Sequence, residues 1–315
     1  MNEAQPRRSI ELPLVSILIP AFNHEAFIER CLDSVLEDPY PAKELLVIDD
    51  GSSDRTPAII QRWVDAHRGD LPIRFVRNRH SGIAATLNEL AVRAHGQFLR
   101  PGASDDYLLP GGLDALVGYL LDHPAKGAVI GDSIVVDGSD RKLHDSGMCD
   151  LHGANKNHYR SDDGIRRAII DEWAVGGPVA LIRKSALETV DRWTEGLRID
   201  DWDLFLRLAA QNMLGFVDVK VCAYRLHGRN LSKTRNEAAR IANLAESQQV
   251  ALRRLRHFEE PYRTLLHAQS HYIGAKIAFL ERKPAHLLMQ MLTFFALHAA
   301  AKIGIPTAPL KAEKA

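Results

Sequence analysis

Three pairs of adjacent aspartates stand at the ends of predicted strands or helices: Asp49-Asp50 and Asp105-Asp106 each follow a strand, and Asp200-Asp201 precedes a helix. Two carboxylates on a rigid loop suit a hard divalent cation such as Mg²⁺ or Mn²⁺, and such a cation stabilises a diphosphate as a leaving group. Each pair could instead cap the helix that follows it, which requires no ligand. Capping is the more frequent role for a single pair, so metal binding needs further support.

Two further segments carry groups that could act on a substrate. Asp200-Asp201 could supply a general base, because a partly buried carboxylate beside another one can have its pKa raised toward the working pH. The basic segment that begins at Arg225 also contains His227 and Arg229. Arginines donate hydrogen bonds to a diphosphate, and the histidine could be a metal ligand or a donor. A single histidine is more often structural, so this segment gains meaning only beside the acidic pairs.

Apolar runs with strand character alternate with helical patterns in the first third of the chain. Strands are predicted near residues 14–19, 44–48, 73–76 and 97–100, and helices near 26–36, 56–64 and 82–94. This alternation predicts an α/β fold, a doubly wound, mostly parallel sheet with helices on both faces. Such sheets bind ligands at the carboxyl ends of their strands, where Asp49-Asp50 and Asp105-Asp106 both fall.

The composition narrows the class of protein. The 315 residues are 46% hydrophobic and 25% charged, with a net charge of zero, so nothing indicates non-specific nucleic-acid binding. Three separated cysteines without C-x-x-C spacing favour a reducing compartment. The sequence has neither a secretory signal pattern nor the long uninterrupted apolar run of a membrane span. We therefore expect a cytoplasmic protein.

Five segments occur in a fixed order along the chain: Val15 to Glu25, Leu46 to Asp54, Ser104 to Asp106, Asp200 to Leu204, and Tyr224 to His227. Together they resemble glycosyltransferase family 2, whose members are inverting enzymes with the GT-A fold. The resemblance covers residues 13–235 and implies a catalytic domain there, with a nucleotide-binding half over 13–110 and an acceptor half over 111–235. A C-terminal helical region, 236–315, follows it.

The resemblance implies a role for each matching position. Asp201 would be the catalytic base, and Asp106 and His227 would bind a divalent metal, Mn²⁺ or Mg²⁺. Within the donor site, Asp50 would hydrogen-bond the base and Asp105 would lie near the ribose. The full set of implied donor-binding positions is Pro20, Ala21, Asn23, Asp50, Gly82, Asp105, Arg225 and Arg229.

The implied reaction moves a sugar from a nucleotide-diphosphate sugar, expected to be UDP-linked, to a hydroxyl of a glycan or lipid-linked glycan. Synthesis of a bacterial surface polysaccharide is the usual work of the family. The chain departs from the family pattern at three places. Thr86-Leu87-Asn88 lacks a donor-side arginine, Asp200 replaces a glutamate, and Arg100-Pro101-Gly102 replaces an apolar run.

The C-terminal region contains an apolar helical pattern from Leu287 to Ile303, flanked by Arg282, Lys283 and Lys302. One interpretation is an amphipathic helix that rests on the inner face of the plasma membrane. The plainer interpretation, which we favour from sequence, is a helix packed on the catalytic core or at the interface of a homo-oligomer.

Three alternatives compete with a glycosyltransferase. A sugar-phosphate nucleotidyltransferase would carry a Gly-rich basic loop after the first strand, and Pro20 to Glu25 has none. A phospho-acceptor receiver domain would leave Asp105-Asp106 and Asp201 unexplained. A non-catalytic nucleotide-sugar or glycan-binding relative stays open, although the acidic positions weigh against it.

Overall fold

One mixed sheet of nine strands runs through the part of the chain that the computed structural model describes, residues 12–228, 230 and 236–303. The strands are β1 (Val15–Ala21), β2 (Lys43–Asp49), β3 (Ile73–Arg77), β4 (Phe98–Pro101), β5 (Tyr107–Leu108), β6 (Ala128–Asp137), β7 (Lys142–His144), β8 (Ala180–Arg183) and β9 (Leu214–Leu226). Their order across the sheet is β3-β2-β1-β4-β8-β6-β9-β5, and β7 pairs with β6.

The first four strands are parallel and alternate with helices, as the sequence predicts. β1 pairs with β2 and β4, and β2 pairs with β3. The intervening helices are α1 (Ile28–Glu37), α2 (Thr56–Ala66) and α3 (Ile83–Arg93). β1 is buried over nearly its whole length, which is why an almost unbroken apolar run forms it. The carboxyl ends of β1, β2 and β4 therefore share one edge of the sheet.

Antiparallel pairs complete the sheet. β8 lies between β4 and β6 and is antiparallel to both, while the long strand β9 is parallel to β6 and antiparallel to β5. The helices of this half are α4 (Gly112–Asp122), α5 (Asp162–Asp171), α6 (Lys184–Thr189) and α7 (Asp200–Ala210). The parallel character is thus strongest in the first half, and β9 returns toward the edge where β1 and β4 end.

Three helices follow: α8 (Glu237–Arg254), α9 (Tyr262–Leu280) and α10 (Pro284–Ile303). A buried ion pair joins α8 to α7, since Nε of Arg254 lies 2.6 Å from Oδ1 of Asp203, which is fully buried. Burial raises the pKa of Asp203, but the hydrogen bond from Arg254 and the charge of Arg207 outweigh it, so the net shift is downward. The helical region is therefore fixed to the helix that carries Asp201.

Candidate active site

The loops after β1 and β2 are tied together by hydrogen bonds of Asn23. Its amide donates to Oγ of Ser52 (2.9 Å), and its Oδ1 accepts from the amide of Ser53 (2.8 Å). Its φ of +54° is left-handed, a conformation that asparagine tolerates better than most residues. Of the two neighbouring positions predicted for the nucleotide, Ala21 is buried in the sheet and Pro20 is partly exposed.

Asp50 anchors the loop that begins α3. Its carboxylate accepts from the amide (2.7 Å) and hydroxyl (3.0 Å) of Ser81 and from the amide of Gly82 (2.9 Å), and Nδ1 of His80 lies 2.9 Å from Oδ2. A carboxylate offers about four acceptor positions, and these contacts use them. A nucleobase bound here would displace one of these partners, so the predicted base contact of Asp50 stays a prediction.

An aromatic pair that sequence reasoning missed lies beside Asp50. Phe22 is 40% exposed, and its ring stacks on that of His80 with 4.5 Å between centroids. Exposed aromatic rings are platforms on which planar bases stack. The only signal in the sequence was an aromatic residue directly after the end of β1.

Three side chains from distant loops converge into a group that could hold a metal ion: His24, Asp105 and His227. Their ligand atoms all lie within 4.8 Å of one another. Nε2 of His227 is 2.9 Å from Oδ2 of Asp105, and Nδ1 of His24 is 3.9 Å from Oδ1 of the same carboxylate. Burial raises the pKa of Asp105, but the hydrogen bond from His227 and the charge of His24 bring it below its usual value. The sequence indicated His227 as a ligand and overlooked His24.

Asp106, the predicted metal ligand, contacts the backbone of β9. Its Oδ1 accepts from the amide of Arg225 (2.8 Å), and the residue is 4% exposed. Burial, together with the negative charge of Asp105, raises the pKa of Asp106 well above its usual value. Of the two carboxylates, that of Asp105 lies in the group with His24 and His227, and the assignment of Asp106 as a metal ligand stays a prediction.

Arg225 is buried and holds the site loops together. Its Nε donates to the carbonyl of Asp105 (2.7 Å), and its Nη1 donates to the carbonyl of Asp137 (3.2 Å) and pairs with Asp140 (2.7 Å). A direct hydrogen bond from this guanidinium to a diphosphate was expected, yet only 1% of the residue is exposed. It thus serves here as a support beneath the site. Arg229 lies outside the described residues.

Asp201 stands in the first turn of α7 and is partly exposed. Its Oδ1 accepts from the amide of Trp202 (2.7 Å), and its Oδ2 accepts from the amide of Gly177 (3.2 Å). Burial raises the pKa of Asp201, and these two hydrogen bonds offset only part of that shift. Asp200 is buried beside it, and its pKa is raised well above the usual value by burial and by Asp201. A carboxyl group of raised pKa with an accessible oxygen can serve as a proton acceptor.

The loop that contacts Asp201 also borders the loop that carries the acidic pair. Pro178, Ala103 and Asp106 line the same small cavity. Pro178 directly follows Gly177, the donor to Asp201. The structure therefore brings the segments of two predicted acidic motifs to one region of the sheet edge.

Comparison with known proteins identifies relatives of this chain. Residues 16–191 match the family model described as Glycosyl transferase family 2. The chondroitin synthase of Pasteurella multocida (strain Pm70) is 28% identical over 224 residues, 70% of this chain and 21% of that protein. This chain thus spans about a fifth of the length of that relative.

Solved structures share the fold. S. aureus TarS 1–349, in complex with UDP-GlcNAc, matches with a TM-score of 0.62 at 16% identity. The match covers 93% of this chain and 92% of the TarS chain. The mannosyltransferase PcManGT from Pyrobaculum calidifontis, in complex with GDP-Man and Mn²⁺, matches with a TM-score of 0.64 at 23% identity. The match covers 95% of this chain and 77% of the PcManGT chain. These likenesses confirm the predicted fold, a GT-A type sheet with helices and a helical C-terminal region.

Proposed function

Because this chain belongs to glycosyl transferase family 2, we propose that it transfers a sugar from a nucleotide-diphosphate sugar to a hydroxyl of a glycan or lipid-linked glycan. The proposal rests on the convergence of His24, Asp105 and His227 at the carboxyl ends of the strands. The segment that contacts Asp201 borders the loop that carries Asp105. The chondroitin synthase relative supports polysaccharide synthesis as the setting. Three free cysteines support a reducing compartment, the cytoplasm.

The residues of the cluster fit a divalent cation, which when bound would offset the negative charge of the donor diphosphate. One carboxylate and two imidazoles form the donor set. Imidazole nitrogen suits transition metals, whereas Mg²⁺ prefers oxygen ligands in near-ideal octahedral geometry. We therefore propose Mn²⁺ in preference to Mg²⁺, held by Asp105 rather than by Asp106. The complex of PcManGT contains Mn²⁺, which agrees with this choice.

The nucleotide would lie at the ends of β1 and β2. The exposed ring of Phe22, which is itself stacked on His80, would stack on the base. Asn23 and the Asp50-anchored loop at Gly82 would shape the pocket around it. We propose a UDP-linked donor, since the TarS complex contains UDP-GlcNAc. The GDP-Man of PcManGT makes GDP the alternative to test.

Asp201 would accept the proton of the acceptor hydroxyl as the hydroxyl oxygen attacks the anomeric carbon from the face opposite the diphosphate. The bond between that carbon and the diphosphate breaks, and the nucleoside diphosphate leaves. A single displacement of this kind inverts the configuration and requires one base. The amides of Gly177 and Trp202 fix the orientation of the carboxylate. Its raised pKa makes it a stronger proton acceptor than an ordinary aspartate, provided that it is deprotonated when the acceptor binds.

Calorimetry with matched variants tests the donor site. UDP, GDP and dTDP are titrated into the protein with Mn²⁺, with Mg²⁺ and without metal. We expect UDP binding that is tighter with Mn²⁺ than with Mg²⁺ and is lost without metal. It should be lost in Asp105→Asn and retained in Asp106→Asn, because asparagine keeps an acceptor for the Arg225 amide. A folded protein that binds no nucleoside diphosphate under any of these conditions would instead be a non-catalytic relative.

A further inference from the structure

Helix α10 buries the polar side chain of Gln290 against α9 and leaves several large apolar side chains exposed. Gln290 is 9% exposed; its Oε1 lies 2.7 Å from Nδ1 of His271 in α9, and its Nε2 lies 2.9 Å from Nε2 of His286. A Cβ at Gly274 of α9 would come within 2.9 Å of the Gln290 amide oxygen, so the two helices approach closely along this polar seam. The inner face of α10 is thus already occupied by α9.

The opposite face is apolar and exposed. Leu288, Leu292 and Phe295 are 61%, 61% and 58% exposed, and their spacing of four and three residues places them on one side of the helix. Exposed residues on the same side are Pro284, Ala285, Met289, Ala296, Ala299, Lys302 and Ile303. Lys302 is the one charged residue among them. Little of α10 as a whole is buried, and by length and composition the helix could cross a membrane.

Such a face normally marks a surface that something else covers, and the charges around it select the occupant. α10 contains no aspartate or glutamate. Arg282 and Lys283 precede its first residue and Lys302 stands in its last turn, while Glu281 pairs with Lys283 at 2.9 Å. If two copies met across this face, basic ends would oppose basic ends in both the parallel and the antiparallel arrangement. An anionic lipid surface complements both ends at once.

We propose that the outer face of α10 lies on an anionic membrane surface, with Leu288, Leu292 and Phe295 inserted at the boundary between headgroups and acyl chains. The polar seam with α9 keeps α10 on the protein, so the helix would lie along the surface and not cross it. This inference is independent of the donor, metal and base assignments above. For an enzyme that elongates a lipid-linked glycan, it would hold the protein on the layer that contains its acceptor.

Vesicle flotation of the full chain tests the proposal. We expect the protein to float with vesicles of phosphatidylcholine and phosphatidylglycerol, less so at high salt, and weakly with phosphatidylcholine alone. The triple variant Leu288→Glu/Leu292→Glu/Phe295→Glu should lose at least about tenfold in partitioning. A matched triple variant, Val92→Glu/Leu121→Glu/Leu252→Glu, adds the same charge at exposed apolar positions elsewhere and should float like the unaltered protein.

Two further measurements make the test decisive. Lys302→Glu should weaken flotation with the anionic vesicles and reduce its dependence on salt. Sedimentation equilibrium without lipid should find a monomer; a dimer that the α10 triple variant dissociates would overturn the proposal in favour of a second copy. Absence of flotation, or equal loss in both triple variants, would also overturn it. Metal-dependent UDP binding should be the same in all variants, so failure here is separable from failure of the proposed function.

Discussion

Nε2 of His227 lies 2.9 Å from Oδ2 of Asp105, although 122 residues separate them in the chain. The contact joins the loop after β4 to the end of β9, and Arg225 secures the same junction through the carbonyl of Asp105. His24, in the loop after β1, completes the group. The candidate metal site therefore exists only when β1, β4 and β9 are correctly placed in the sheet.

His24 should contribute directly to metal affinity. Replacing it, as His24→Ala, removes one of three candidate ligands, and we expect Mn²⁺-dependent UDP binding to weaken at least about tenfold. The UDP affinity measured with Mg²⁺ should fall less, because Mg²⁺ prefers oxygen ligands and depends less on an imidazole. Calorimetry with both metals measures the two effects. His123→Ala, which alters an exposed histidine at the end of α4, is the control; equal losses in both variants would remove His24 from the ligand set.

Gly82 should be irreplaceable for conformational reasons. Its φ of +92° and ψ of +160° lie in a region that is essentially restricted to glycine, and its amide donates to Asp50. Gly82→Ala should lower the free energy of unfolding by about 1–3 kcal/mol and weaken nucleotide binding, since the loop that Asp50 anchors would shift. Denaturant unfolding and calorimetry measure both.

The control for that substitution is Gly118→Ala in the middle of α4, where an added Cβ meets nothing within 4 Å. It should leave nucleotide binding unchanged and stabilise the protein by about 0.5–1 kcal/mol. If Gly82→Ala also left nucleotide binding and the free energy of unfolding undiminished, the positive φ of Gly82 would not be required by the loop.

The sequence predicted what depends on local pattern. The strands and helices around β1, β2 and β4 follow from apolar runs and helical spacing, and the rule that ligands bind at strand ends placed Asp50 and Asp105 correctly at one edge. The role of His24 required knowing that the loops after β1 and β4 touch. Nothing in the local sequence distinguishes Asp105 from Asp106. The backbone conformation of the turn that contains them decides which carboxylate faces the cluster and which faces the Arg225 amide.

The second half of the sheet was harder to predict for a related reason. β8 lies between β4 and β6 and reverses direction relative to both, and such pairings join segments that are distant in sequence. The burial of Arg225 follows from its place in β9, whose pairing with β6 covers it. From sequence alone, a basic residue next to a glycine-containing loop is expected to be exposed, because the strand that pairs with its own is not known.

The buried ion pair between α7 and α8 should stabilise the helix that carries Asp201. Arg254→Ala leaves Asp203 fully buried, with Arg207 at 2.9 Å as its remaining ionic partner. We therefore expect the free energy of unfolding to fall by about 3 kcal/mol, the lower end of the range for breaking a buried ion pair. Arg253→Ala, at the exposed neighbouring position, should change the free energy of unfolding by less than about 0.5 kcal/mol.

The pH dependence of this difference has a definite sign. The pKa of Asp203 is lowered in the folded protein, so its contribution is present above the unfolded pKa of about 4 and is lost as the pH falls through the folded pKa. The gap in unfolding free energy between the unaltered protein and Arg254→Ala should therefore be widest near neutral pH and narrow on acidification. Urea unfolding across this pH range measures the gap, and a gap that is constant with pH would contradict the assignment.

Asp201 should matter for turnover and little for donor binding. Asp201→Asn removes the proton acceptor and keeps only one of the two backbone hydrogen bonds that the carboxylate accepts, so we expect the transfer rate to fall by about 10²–10⁴. Metal-dependent UDP affinity should change little, since the contacts of Asp201 are with Gly177 and Trp202. Asp65→Asn, an exposed change on α2, is the control for both measurements.

The pH profile gives a second, independent test of the base. Burial raises the pKa of Asp201, and a base must be deprotonated to act, so the rate at saturating donor and Mn²⁺ should decline on acidification at a higher pH than the ordinary aspartate value of about 4. Residual activity of Asp201→Asn should lack this decline. If the variant turned over at nearly the unaltered rate, or if its acid limb persisted unchanged, another group would have to take the proton, and Asp200 beside it would be the next to replace.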